Sequence, residues 1–334
     1  MKIETNELKA NLKLLKDALG KDDYTNKFYF RDNAIYAING KLFTKIAFEH
    51  NQEFTVDGKS FTAFLNKIKA KEIELELTEN NVLIKTSKSR SEFPLYKEEQ
   101  SIPTEIFDNQ LAIAPIDLGE AITTVAYASS KNKARVHLCG VMLRGNEATG
   151  TDGRQISVSS FDGNFEEQLI IPSSIVKYVK DLGIASYAIV GDWFVFETTT
   201  GVQFACSRLE GQYPTKEQID GIMDLEIDDE IKFPVKATVE ALETCSVFLD
   251  SVDDLNKLVK VEVKDGKAML TAKSVSGQHK EKIKAEFDGE VMFGINPDFF
   301  SNILKKTDSV GIKDGRMIFE SDDNKCVIAL GTIE

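Results

Sequence analysis

The stretch Ile170-Ile171-Pro172-Ser173, running on to Leu182, is a strand that breaks into a helix. The same break stands at Thr55-Val56-Asp57-Gly58, running to Ile68, and at Gly294-Ile295-Asn296-Pro297, running to Leu304. Ahead of each break lies an extended stretch followed by a helix: Ile3 to Leu19, Ala112 to Ser129 and Ile231 to Leu249. Behind each come two or three short strands, ending at Glu92-Phe93-Pro94-Leu95, Phe204-Ala205-Cys206-Ser207 and Cys326-Val327-Ile328-Ala329. The copies start roughly 110 to 120 residues apart, too long for a solenoid repeat and right for whole small domains. The reading is an α+β chain of three tandem domains, 1–108, 109–229 and 230–334, each with two helices packed on antiparallel sheet.

A chain of 334 residues with 42% hydrophobic content is ample for several cores. No stretch approaches the roughly 18 apolar residues of a membrane span. Met1-Lys2-Ile3-Glu4 runs into a strand rather than a signal peptide, so a cytoplasmic location is expected. Cys139, Cys206, Cys245 and Cys326 have no metal-type spacing and read as buried free thiols. His50, His137 and His279 are scattered. No metal site, cofactor site or nucleophile–base pair is read, which argues against an enzyme. The net charge of −13 is uneven: −1 over 1–108, −8 over 109–229 and −4 over 230–334. That total argues against DNA wrapped on a basic surface, but not against DNA if the positive charges share one face.

The helices carry that face. Leu8, Leu12, Leu15 and Leu19 form a core stripe, with Lys9, Lys13 and Lys16 on the adjoining face. Phe61, Leu65 and Ile68 point inward, while Lys59, Asn66 and Lys69 mark a polar stripe and Lys67 and Lys71 add charge. Ile175, Val179 and Leu182 repeat the pattern beside Ser173, Lys177 and Lys180, and Lys305-Lys306 closes the last helix. Lys236, Glu240 and Glu243 break the trend. Any one such stripe is ordinary solvation. Its recurrence on four of six equivalent helices predicts basic helices on one surface and an acidic sheet face outside. Polar linkers are expected at Tyr96–Thr104 and Ile219–Asp229, and hairpin turns at Asp265-Gly266 and Asp314-Gly315.

Three local stretches give the pattern a family. Arg135-Val136-His137-Leu138-Cys139-Gly140-Val141-Met142-Leu143, Thr149-Gly150-Thr151-Asp152-Gly153-Arg154-Gln155-Ile156 and Ser207-Arg208-Leu209-Glu210-Gly211-Gln212-Tyr213-Pro214 stand in order inside the triplicated chain. They resemble the bacterial sliding clamp family, the beta subunit of DNA polymerase III, over essentially the whole length. The resemblance implies a ring of six domains, closed head-to-tail by a homodimer, with helices lining a hole for double-stranded DNA. It implies a non-catalytic processivity factor that tethers DNA polymerase and clamp loader through short peptides, with no cofactor and no membrane. Lysines suit sliding, since they attract phosphates without reading sequence.

By position, the resemblance implies DNA contacts at Lys9, Lys13, Lys16, Lys67, Lys69, Lys177 and Lys180, and at Lys131, Lys133, Arg135 and His137 in a loop. A partner-peptide pocket is implied at Leu138, Thr151, Gly153, Arg154, Ile156, Pro214, Ile219, Asn296 and Phe299. Ring closure is implied at Phe93 and Leu95 on one side and Phe248 and Leu249 on the other. The chain departs from the family in its tail, Ala329-Leu330-Gly331-Thr332-Ile333-Glu334, in lacking the histidine of Thr-Asp-Gly-His, and in placing Gln218 where an arginine is usual. Those departures, with a trimmed first copy at Gly20–Phe28, suit a clamp carried by a phage or mobile element. Two other readings stay open: a clamp-fold decoy that titrates replication proteins without encircling DNA, and a hydrolase or transferase using Asp253-Asp254 or Asp322-Asp323 to hold magnesium.

Overall fold

The computed structural model describes residues 1–22, 25–96, 102–227, 230–253 and 256–332. Parts of the expected linkers (97–101 and 228–229), Asp254 of the acidic pair, Asp23 and Tyr24, and the last two tail residues lie outside the described residues. Seven α-helices occur among the described residues: α1 (Thr5–Leu15), α2 (Gly58–Lys67), α3 (Leu118–Val125), α4 (Val176–Leu182), α5 (Lys216–Met223), α6 (Val235–Leu249) and α7 (Pro297–Leu304). All sheets are antiparallel, so the α+β expectation holds. None of the helices is long and apolar enough to cross a membrane.

The chain divides into two compact units, residues 1–119 with 174–208, and residues 120–173 with 209–334. In the first unit, strands Lys2–Glu4, Glu72–Leu77, Asn81–Lys85 and Arg90–Pro94 form a four-stranded sheet in that order. A second sheet has eight strands, in the order Phe54–Asp57, Lys27–Arg31, Ala34–Ile38, Leu42–Ala47, Gln203–Ser207, Trp193–Glu197, Ser186–Val190 and Ala112–Ile113. Its centre is a seam where Leu42 faces Cys206 and Lys45 faces Gln203.

The expected leucine stripe seats α1. Leu8, Leu12 and Leu15 are buried, each contributing about 1.5–3 kcal/mol. Helix α1 ends earlier than expected, at Leu15, and Lys16–Ala18 tightens into a 3₁₀ turn. Leu19 therefore leaves the helix and packs over Gly58, where a Cβ would meet its Cδ2 at 2.5 Å. Asp57 starts α2 by accepting a hydrogen bond from the Ser60 N–H at 2.7 Å, and this N-cap explains the sharp strand-to-helix break.

In the second unit, Gly140–Thr151, Gln155–Pro172, Asn324–Ala329, Arg316–Glu320, Ser309–Lys313 and Glu230–Lys232 form a six-stranded sheet in that order. Its first two strands make one long hairpin, irregular on either side of Gly145, whose φ is +57°. A second seam lies here, with Gln155 facing Ile328 and Ser159 facing Asn324. A four-stranded sheet, in the order Gly277–Lys284, Lys267–Ser274, Val259–Lys264 and Val291–Ile295, buries its inner face against α6 and α7. Asp265-Gly266 and Asp314-Gly315 are tight turns with positive φ at both residues, as expected.

The acidic sheet face holds in only one of the two four-stranded sheets. In the first unit, Glu4, Glu72, Glu74, Glu76 and Glu92 outnumber Lys2, Lys85 and Arg90 at outward positions. In the second unit the outward positions are mostly lysine.

Candidate functional site

Three features come from the residues singled out by sequence. The first is basic. In the first unit, the Lys9 ammonium donates to the Ile68 carbonyl at 2.7 Å, capping the end of α2. Lys177 of α4 pairs with Asp17 at 2.6 Å, in the turn after α1. Burial raises the Asp17 carboxyl, but Lys177 and the neighbouring Tyr178 outweigh it and hold it below the ordinary aspartate value. These contacts tie α1 to the end of α2, and α4 to the turn after α1. Lys13, Lys16, Lys67, Lys69 and Lys180 are exposed.

In the second unit, Lys131, Lys133 and Arg135 are exposed on a loop whose backbone is tied locally. Asn132 Oδ1 accepts from the Ala134 N–H at 3.0 Å, and the Arg135 N–H donates to the Asn132 carbonyl at 3.0 Å. The cationic side chains are thus carried on a braced turn. His137 is half-buried over Gly211, where a Cβ would meet the imidazole Cγ at 3.1 Å.

The second feature is a cleft of about 640 Å³ within the second unit. The nine expected pocket residues divide around it. Gly153, Arg154, Asn296 and Phe299 line it, together with Tyr127, Ser129, Ser130, Lys131, Asn132, Arg135, Asp152, Gln155, Asp298 and Asn302. Leu138, Ile156 and Ile219 lie elsewhere, in a buried apolar cluster with Met142, Ile170, Tyr213, Ile318 and Val327, and Ile219 also lines a smaller cleft of about 240 Å³. That cluster is covered by Ile222, Met223, Leu225 and Ile227.

Thr151 and Asp152 shape the cleft's turn. Thr151 Oγ1 donates to the Gln155 carbonyl at 2.6 Å, and Asp152 Oδ1 accepts from the Arg154 and Gln155 N–H groups at 2.8 and 3.0 Å. The Arg154 guanidinium lies over the Phe299 ring at 5.0 Å. Asn296 caps α7 by accepting from the Asp298 N–H at 2.9 Å. Gln155 is buried and its Oε1 has no hydrogen-bond partner among the described residues.

Pro214 precedes α5, a helix whose later residues, from Ile219, fall in the stretch read as linker. Thr215 and Gln218 form a capping box: Gln218 Oε1 accepts from the Thr215 N–H at 2.9 Å, and Thr215 Oγ1 accepts from the Gln218 N–H at 3.3 Å. This gives Gln218, in the place of the usual arginine, a structural task. The signal was present in the sequence as Thr-x-x-Gln. Nothing comparable marked Ser129, Ser130 or Asn302 as cleft residues.

The third feature is a pair of open sheet edges. Arg90–Pro94 ends one four-stranded sheet and Gly277–Lys284 ends the other. Phe93 is half-buried, edge-on to Phe61 and Phe64 at 5.4 and 5.1 Å, and the Leu95 N–H donates to the Asn80 carbonyl at 2.9 Å. Phe248 is half-buried and stacked on His279 at 5.5 Å. Leu249 is 1% exposed and belongs to the unit's core, whereas its neighbour Val247, not anticipated, is 67% exposed.

No protein-family model matches the chain. Among curated proteins it is similar to the beta sliding clamp of Helicobacter pylori (strain J99), 22% identical over 275 residues, covering 75% of this chain and 70% of that protein. Among solved structures it superposes on the DNA polymerase III beta chain of Streptococcus pneumoniae with a TM-score of 0.83, at 18% identity over 99% of both chains. The Helicobacter pylori beta clamp bound to a DNA ligase peptide gives 0.80, at 18% identity over 100% of both. The DNA polymerase III beta subunit of Pseudomonas aeruginosa gives 0.82, at 15% identity over 99% of both. In sequence the chain is similar to a beta sliding clamp, and along its length it has the α+β fold of the bacterial DNA polymerase III beta subunits.

Proposed function

We propose that the chain is a sliding clamp of the DNA polymerase III beta type, a non-catalytic processivity factor acting in the cytoplasm. Its domains are 1–108, 109–229 and 230–334, and two copies close head-to-tail around duplex DNA. One observation carries the reading. The last strand of the second domain, Gln203–Ser207, seams onto Leu42–Ala47 of the first. The last strand of the third, Asn324–Ala329, seams onto the Gln155–Ser159 segment of the second. Sheet order makes Gly277–Lys284 the third domain's counterpart of Leu42–Ala47. Two partners are left over, Arg90–Pro94 and Gly277–Lys284, and both are open edges. A second copy supplies each with the partner that the internal seams already use, and removes two exposed edges.

Lys13, Lys16, Lys67, Lys69 and Lys180, and the loop cations Lys131, Lys133 and Arg135, then face the phosphates, with His137 beside them. Lys9 and Lys177 contribute long-range charge while holding α2 and Asp17. The cleft at Gly153, Arg154, Asn296 and Phe299 takes a short peptide from DNA polymerase, clamp loader or other replication proteins. A relative's complex with a DNA ligase peptide supports this reading. Light scattering should give twice the 37.2 kDa of one chain. The protein should be retained on nicked circular plasmid after loading and released on linearisation. A monomer at micromolar concentration, or equal retention on linear DNA, would sink the proposal. A stable dimer that binds replication peptides but never stays on circles would instead favour the decoy.

A further inference from the structure

We propose that the exposed face of the sheet spanning Val259–Ile295 binds the phosphate backbone of nucleic acid, as a surface separate from the helix lysines. The strands alternate strictly. Val259, Val261, Val263, Ala268, Leu270, Ala272 and Ile283 are buried against the helices. The intervening positions place Lys260, Lys264, Lys267, Lys273, Lys280, Lys282 and Lys284 on the opposite face.

Strand register groups these lysines. Lys267 faces Lys264 on one side and Lys284 on the other, and Thr271 sits between Lys260 and Lys280. Neighbouring strands lie about 4.8 Å apart and alternate residues about 6.8 Å apart, within one screening length at physiological salt. The charges therefore act together.

Only two of the seven have carboxylate partners among the described residues: Lys260 with Glu262 at 3.1 Å, and Lys264 with Glu290 at 2.7 Å. Lys267 and Lys284, directly opposite one another, repel and work against the sheet. Composition does not account for such an array, since the chain carries 54 acidic residues against 41 basic ones.

Charge complementarity selects the occupant. Residues 257–295 contain no arginine, so the face carries compact point charges rather than planar forks that fix one geometry. Closely spaced lysine point charges match a line of phosphates and read no sequence. The surface lies on the sheet face opposite α6 and α7, and it needs no ring closure to be present.

The test uses the full chain with Lys13, Lys16, Lys67 and Lys69 changed to alanine, to weaken binding at the helices. Fluorescence anisotropy follows a short labelled duplex and the matching single strand across a salt series. Adding Lys267→Ala, Lys280→Ala, Lys282→Ala and Lys284→Ala should weaken binding of the preferred nucleic acid by about tenfold or more. The log–log salt slope should become shallower by roughly 0.9 for each duplex phosphate that is no longer neutralised. The control changes Lys2, Lys21, Lys41 and Lys88, which removes equal charge elsewhere and should leave the slope unchanged. In the unaltered chain, bound DNA should shield Lys267, Lys280, Lys282 and Lys284 from an amine-acylating reagent. Equal losses in both quadruple sets, or full acylation in the presence of DNA, overturn the proposal. So does unchanged DNA binding with lost polyglutamate binding, which would mark an acidic protein partner.

Discussion

Lys306 sits in a place that works against its own charge. Its ammonium donates to the Thr124 carbonyl at 2.7 Å and to Asn324 Oδ1 at 3.3 Å, and stands 4.5 Å from the Tyr127 ring centre. Burial pushes its pKa down to about 8, with Cys326 opposing weakly. The unfolded chain keeps the ordinary lysine value near 10.4, so between about pH 8 and 10.4 the unfolded state binds more protons. This group's contribution to stability therefore rises with pH across that window. Burial raises Cys326 and Cys245 to about 11 and Cys206 to about 12, which acts in the opposite sense above roughly pH 9. The difference between the native chain and Lys306→Met isolates the lysine: urea unfolding should show the native chain gaining relative to the variant as pH rises. A parallel pair of curves would refute the assignment. Gly153 gives a second test at this scale. Its φ of +90° and the 3.2 Å from a built Cβ to Arg135 Nη1 make Gly153→Ala strained, by about 1 kcal/mol or more. Its melting temperature should fall, and a peptide in the cleft should bind more weakly because Arg135 is displaced.

At the scale of elements, sequence was most legible where a core stripe and a cap agree. Leu8, Leu12 and Leu15 announced α1, and Asp57 and Asn296 with Pro297 announced the starts of α2 and α7. It was least legible where a polar side chain had two possible tasks. Lys9 and Lys177 fit the basic stripe equally well as free cations or as the cap and ion pair they form. Ile219 was legible as apolar but not as part of a buried cluster, because Ile222, Met223, Leu225 and Ile227, which pack against it, lie in the stretch 219–229 read as linker, where α5 in fact continues to Met223. That helix is a point of control. Thr215→Ala removes the side chain that caps α5 and should cost about 0.5–2 kcal/mol of stability. Since Ile219 and Ile222 of α5, with Leu225 and Ile227 after it, pack with Leu138 and Ile156, the variant should also bind apolar peptides more tightly than the native chain. Isothermal titration with peptides matched in length, one apolar and one polar, reads the change; tighter binding of neither would mean the cluster stays shut.

At the scale of the molecule, the strand-to-helix breaks were readable because they recur at a fixed distance, while the pairing of strands across the seams left no mark in local composition. The seams depend on backbone groups, and for Arg90–Pro94 the hydrogen bonds around the strand fix which way those groups face. The Thr86 N–H donates to the Ser89 carbonyl at 2.8 Å, and the Leu95 N–H to the Asn80 carbonyl at 2.9 Å. Alternation along an antiparallel pair then turns Ser91 and Phe93 toward the strand Asn81–Lys85, and leaves Arg90, Glu92 and Pro94 facing the open edge. Pro94 already lacks a donor there, so Arg90 and Glu92 hold the outward N–H groups of the strand. Glu92→Pro removes one of them without touching a hydrogen bond inside the sheet. Its side chain is half exposed and pairs with Arg90 at 3.2 Å, an interaction worth at most about 1 kcal/mol. The variant should keep its melting temperature within a few degrees and shift from two chains toward one in light scattering at micromolar concentration. Glu92→Gln, which keeps the N–H, should remain a dimer. If Glu92→Pro stays dimeric, the two copies join by some surface other than this edge.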